Sequence, residues 1–201
     1  MMKVPFVARS YVAGQPVFRI ENLSRVSSPQ AMKFDVVLQS AVVPGPNLLS
    51  DPSLEQGSGG APTGWSTTAW QSSTTFAWDS SVKHTGSRSV SINSPSGNDA
   101  EWRRSASGLT VGKPYLLCGW IKGENIAPDQ GSDTGGTVAF TETWQHVLGG
   151  FGTFDWRQVC VPYQAQATSA LVACRLGYWS NTATGKLWCD DFSLELLTST
   201  F

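Results

Sequence analysis

The side chains of this sequence best suited to chemistry are acids and aromatic rings. Near the C-terminal end, Lys186 to Leu196 reads K-L-W-C-D-D-F-S-L-E-L. The pattern predicts a strand with one face in a core and with Asp190 and Asp191 where strand meets loop. Far earlier, N-L-L-S-D-P-S-L-E from Asn47 to Glu55 ends a short apolar segment on another acid. If the first and last strands of one domain are neighbours, Glu55 and Asp191 share one hard cation, which takes oxygen ligands.

The rings are numerous. Nine tryptophans occur in 201 residues, and a flat aromatic surface can either fill a core or stack on the C–H face of a sugar. Catalytic patterns are absent: there is no G-x-S-x-G, and His84 and His146 have no evident nucleophile partner. Asp99 and Glu101 read as solvated acids beside a turn. The chain is therefore expected not to be an enzyme.

Charged residues make up 14% of the chain and the net charge is −1, so nothing electrostatic favours nucleic acid or an anionic membrane. Abundant Gly, Ser and Thr point to strands and turns. The opening M-M-K-V-P-F-V-A-R-S lacks the apolar run of a signal peptide, and no later run reaches the length of a membrane span. Cys118, Cys160, Cys174 and Cys189 fall in expected strands without metal-type spacing, and read as small buried thiols kept reduced. Disulfides between neighbouring strands are the alternative, with three full pairings open.

Those side chains need strands to position them. Residues 1–45 are expected to form an N-terminal β arm, from runs at Val4 to Val12, Val17 to Leu23 and Ala31 to Val43, for anchoring or assembly. P-G-P at Pro44 to Pro46 is an extended crossing, and 46–201 forms the main domain. There Phe76 and Trp78 share one side of a strand, and Val90 with Ile92 point inward. In Y-L-L-C-G-W-I, Tyr115, Leu117 and Ile121 face the core while Trp120 looks outward. Gly123 to Gly136 reads as a long polar loop. Val159, Val161 and Tyr163 share a face, Ala170 to Tyr178 is a further strand, and W-S-N-T-A-T-G is the turn before the last one. The sum is an all-β, jelly-roll β-sandwich.

Six stretches occur in order: N-L-L-S-D-P-S-L-E, the G-W of Gly64 and Trp65, H-T-G-S-R-S-V-S-I, G-K-P-Y-L-L-C-G-W-I-K-G, D-W-R-Q-V-C-V-P-Y and L-W-C-D-D-F-S-L-E. Together they resemble the carbohydrate-binding modules of the galactose-binding-like β-sandwich superfamily, in particular its calcium-bearing members attached to xylan- and glucan-degrading enzymes. The resemblance covers about Pro46 to Leu197. It implies a structural calcium ion held by Glu55, Asp191 and backbone carbonyls near His84 and Arg88, with the His84 ring a weaker ligand than oxygen. It also assigns Trp65, Trp156 and Trp188 to the framework. Leu54 and Cys189 stand where the family often carries aromatic residues.

Sugar binding would then use Trp102, Trp120, Trp144 and Tyr178 along one open sheet face, with Glu142, Arg175 and Gln158 reading hydroxyls. A chain of this kind without an export signal is expected in a bacteriophage virion, as a decoration, fibre or tail protein. It would be anchored through residues 1–45 to copies of itself and to other particle proteins, as a homo-oligomer that displays a glycan-binding sandwich. The alternatives are an extracellular carbohydrate-binding module accessory to a polysaccharide-degrading enzyme, and a surface filament subunit.

Overall fold

The computed structural model describes residues 18–27, 30–38, 42–130, 134–141, 143, 149–179 and 181–199. The described residues contain strands and no helix: β1 (Phe18–Ser27), β2 (Gln30–Leu38), β3 (Val42–Pro44), β4 (Gly57–Ser58), β5 (Ala61–Pro62), β6 (Trp65–Ala69), β7 (Thr75–Asp79), β8 (Ser89–Asn98), β9 (Ala100–Ser107), β10 (Pro114–Gln130), β11 (Gly136–Phe140), β12 (Gly152–Gln164), β13 (Ser169–Leu176) and β14 (Thr182–Ser199). The chain divides into two compact units, Met1–Gly45 with Leu197–Phe201, and Pro46–Leu196.

In the first unit β1 and β2 form an antiparallel hairpin, and β3 pairs with the last residues of β14. The polar stretch that begins at Ser24 does not break β1, because Ser24, Arg25, Val26 and Ser27 stay paired with β2 beyond a register shift. The run Val4 to Val12 lies outside the described residues.

The second unit is an antiparallel sandwich. One sheet has the order β12-β10-β14-β8-β7 and the other the order β11-β13-β9-β6. Alternation explains the layers: Tyr115, Leu117 and Ile121 of β10 are buried in the core, with Trp120 on the opposite face only half-buried. Rings from the two sheets interlock. Trp102 of β9 meets Phe76 of β7 edge-on at 5.9 Å, and Phe140 of β11 stacks on Tyr163 of β12 at 4.2 Å. Trp65 packs on Phe192 at 4.9 Å.

The cysteines are oxidised, which corrects the expectation of reduced thiols. Cys118 and Cys160 occupy directly opposite positions on β10 and β12 and are bonded to each other. Cys174 and Cys189 join β13 to β14 across the core. Alternation points the two core cysteines at each other from facing sheets, at a Cα separation of 5.9 Å, within the range a disulfide spans.

The expected loop from Gly123 is also corrected. β10 runs on to Gln130, paired with the start of β14 through Ala127↔Thr184 and Pro128↔Ala183. Two irregularities permit this. Asn125 has a φ of 52°, and Gly185, at φ 106°, lies against its carbonyl, where a Cβ would collide. Buried Ile126 is the one apolar anchor in that otherwise polar stretch.

Candidate functional site

The outer face of the four-stranded sheet carries an unusual row of polar residues. Register sets Thr68 of β6 opposite Glu101 of β9, Glu101 opposite Arg175 of β13, and Arg175 opposite Thr137 of β11. Side chains alternate along each strand, so the four share one face while Trp102 and Cys174 turn to the core. Glu101 and Arg175 are nevertheless buried, at 3% and 6% exposure.

Arg175 is held from three sides. Asp99 grips it in a two-pronged pair, Nε to Oδ1 at 2.8 Å and Nη2 to Oδ2 at 2.6 Å. Tyr178 lies under the guanidinium, 4.1 Å from ring centre to Cζ. Glu101 Oε2 stands 3.4 Å from Nη1. Burial alone would lower the Arg175 pKa, but Asp99 and then Glu101 hold it above its ordinary value. Burial pushes the Glu101 carboxyl up, against the opposing pull of Arg175 and a hydrogen bond from Thr141. Nη1 of Arg175 is itself buried and has no hydrogen-bond partner, a costly state for a charged donor.

Asp99, Glu101 and Arg175 line a cleft of about 160 Å³ together with Thr68, Ala69 and Trp70. Trp70 is 83% exposed, yet its backbone is tied down. Its amide donates to the Asp99 carbonyl, and Asn98, fully buried, bonds both the amide and the carbonyl of Gln71. Trp179 stands beside the same cleft, its amide 2.7 Å from Asp99 Oδ2 and the residue 46% exposed. Exposed aromatic area thus stands next to a buried guanidinium.

Of the residues expected to bind sugar, Arg175 is in this cleft. Tyr178 supports it from below but is 1% exposed, its hydroxyl turned to the carbonyls of Phe140 and Thr143. Trp102 is between the sheets, its indole N–H donating to the Ser91 carbonyl at 3.0 Å, so its ring has no face to offer. Trp120 belongs to the other sheet's outer face, under the stacked ring of His84 at 4.0 Å, opposite exposed Gln158. Glu142 and Trp144 lie outside the described residues. The expected single aromatic face is thus corrected: Trp102 and Tyr178 are buried, and Trp120 and Arg175 lie on different sheets. Asp99 and Glu101, read as solvated acids, flank Arg175, Glu101 buried and Asp99 half-buried. Alternation does not set Trp70 apart from the other rings of its stretch, and the nearby buried Asn98 gives no sequence signal.

Glu55 and Asp191 hold opposite ends of one turn. Glu55 accepts from the amides of Ser87 and Arg88 and from the Ser87 hydroxyl, with positive-φ Gly86 packed against it. Burial would raise its pKa, but these hydrogen bonds hold it lower. Asp191 takes His84 Nδ1 at 2.6 Å and the Thr85 hydroxyl at 2.7 Å. The Arg88 guanidinium lies over Trp78, 4.4 Å from its ring centre. So arranged, the carboxylates face N–H and O–H donors rather than converging with carbonyls, and the set does not fit a hard cation without displacing those donors. Trp188 is likewise framework, its N–H on Asp79.

No protein-family model matches the chain, and no curated protein does. Several solved structures are similar to it. A carbohydrate-binding module, TmCBM61, crystallised with β-1,4-galactotriose, is 18% identical over 75% of this chain and 98% of its own, with a TM-score of 0.44. The CBM22-1 xylan-binding domain of Paenibacillus barcinonensis Xyn10C is 16% identical over 82% and 100%, with a TM-score of 0.48. The enzymatically active domain of tailspike protein 4 of bacteriophage CBA120 is 13% identical over 75% of this chain, with a TM-score of 0.51. Only 21% of the tailspike chain is covered. The tailspike match shows a shared fold, and the two antiparallel sheets of the chain make that fold a β-sandwich.

Proposed function

We propose that this chain is a non-catalytic glycan-binding protein whose ligand occupies the cleft formed by Thr68, Trp70, Asp99, Glu101 and Arg175. The observation that carries the reading is the Trp70 ring, 83% exposed at a cleft that it lines together with Thr68, Asp99, Glu101 and Arg175. A sugar would supply a C–H face for the indole and hydroxyls for the polar groups that line the cleft. Affinity electrophoresis of the full chain and of Trp70→Ala in gels holding soluble polysaccharides tests it. Retardation that Trp70→Ala abolishes supports the reading, and migration unaffected by every polysaccharide removes it.

The biological setting is a second proposal. Residues 1–45 form most of a unit separate from the sandwich, which suits an anchor that joins copies of the chain to one another and to the other proteins of a phage particle. The two disulfides favour residence outside a reducing cytosol, as on a released virion or in the extracellular medium. Light scattering of the full chain is the test; a defined oligomer supports assembly and a monomer counts against it.

Calcium is a third proposal, carried over from the resemblance. Glu55, Asp191 and the backbone near Arg88 would hold the ion once the turn at 84–88 exchanged its amides for carbonyls. Calcium added to chelator-treated protein tests this through the melting temperature, and no shift removes the ion.

A further inference from the structure

The two disulfides differ in how a thiol can reach them. Cys174 and Cys189 are fully withdrawn from solvent and belong to the hydrophobic core. Cys118 and Cys160 lie on the outer face of their sheet, because Leu117 and Val161 beside them turn to the core. Cys118 is 3% exposed and Cys160 is half-buried, so the pair is open to solvent from the Cys160 side. Thiol exchange follows access.

The same bond holds a strand that little else holds. Among the described residues β12 pairs with β10 alone, at the edge of its sheet. The Cα separation of 4.1 Å marks the cysteines as a narrow pair, the kind that exchanges no backbone hydrogen bonds. At that rung the sulfur bridge is the tie between the strands. Nearer the start of β12 the ladder loses its register between Arg157 and Phe154, and Trp156 stands in that irregular stretch, 5.6 Å from the His84 ring that stacks on Trp120.

We infer that Cys118–Cys160 is a redox-sensitive staple, which a dithiol reductant opens in the folded protein, loosening β12 and Trp156 at the sheet edge while Cys174–Cys189 stays closed. A thiolate of the reductant bonds to Cys160 Sγ as the S–S bond breaks, and Cys118 Sγ leaves with the electron pair and takes up a proton. The second thiol of the reductant then displaces Cys160 Sγ. The protein gains two electrons and two protons, and the reductant ends as a disulfide.

The test treats the full chain with dithiothreitol in the absence of denaturant, blocks the new thiols by alkylation at successive times and maps them by peptide mass. Cys118 and Cys160 are expected to open at least about tenfold faster than Cys174 and Cys189. In the singly reduced chain, amide hydrogen exchange should rise in β12 while β9 and β13 keep their protection, and Cys118→Ala/Cys160→Ala should show the same pattern without reductant. If Cys118–Cys160 does not open ahead of Cys174–Cys189, the inference is overturned. It is overturned equally if the bond opens and exchange in β12 does not change.

Discussion

Asp99 and Arg175, 76 residues apart in sequence, meet through two hydrogen bonds of 2.8 and 2.6 Å on the outer face of a sheet. Both are largely withdrawn from solvent, so the pair behaves as an interior ion pair although it faces away from the core. Removing one partner strands the other. Arg175→Met is expected to cost about 3–5 kcal/mol, since it strips half-buried Asp99 and buried Glu101 of their shared counter-charge. Urea unfolding would show this as a lower midpoint; a loss under about 1 kcal/mol would mean that water reaches the pair freely.

Trp70→Ala has the opposite profile. The ring is exposed and only its backbone is bonded, so the melting curve should match that of the unmodified chain, with a change within about 0.5 kcal/mol. Polysaccharide binding should fall by about tenfold or more. A variant that unfolds early would assign Trp70 to stability instead.

Acid should first strengthen the fold and then weaken it. Burial pushes the Asp190 carboxyl from 3.8 to about 6, despite the amides of His84, Asp191 and Thr85 that point at it. The folded state therefore binds this proton more tightly than the unfolded state. The penalty of ionised Asp190 is fully present above about 6 and is relieved as pH falls toward 3.8. Glu101 and Glu195 are raised by burial and act in the same sense. Glu55, Asp79 and Asp155 are held low; their contributions are present at neutral pH and are lost as pH drops through their folded values. Melting temperature should rise from pH ~7.5 to ~5 and fall below ~4, and a monotonic fall on acidification would contradict this.

Reduction should separate the two disulfides. The Cys174–Cys189 loop spans 15 residues and the Cys118–Cys160 loop 42, and loop closure assigns about 3 and about 4 kcal/mol to them. Intact mass after thiol alkylation should show no free thiol in the native chain and four after reduction in denaturant. Melting of the Cys174→Ala/Cys189→Ala and Cys118→Ala/Cys160→Ala variants should drop by several degrees in each case.

Much of the fold is legible in alternation. The set Tyr115, Leu117 and Ile121 against Trp120 is enough to orient β10, because a half-buried strand repeats every two residues. The cleft is far less legible, for a physical reason. Glu101 and Arg175 follow the polar-outward rule, and only the register of β9 with β13, and the approach of Asp99, reveal that they are buried. Trp102 misleads in the same way, since its neighbours Glu101 and Arg103 are polar on both sides while its own ring lies between the sheets. The pairing of Cys174 with Cys189 depends on which sheet faces which, a property of topology that no local pattern carries.

That same bond closes a covalent ring from Cys174 to Cys189, and within it lie Arg175, the turn at Gly177 to Asn181 and the start of β14. A protease cutting that turn would produce two polypeptides still tied together, with Arg175 left one residue from the knot. On a non-reducing gel the nicked protein would run as one band and under reduction as two. The strands that carry Arg175 and Trp188 would thus stay covalently joined after a break in the backbone between them.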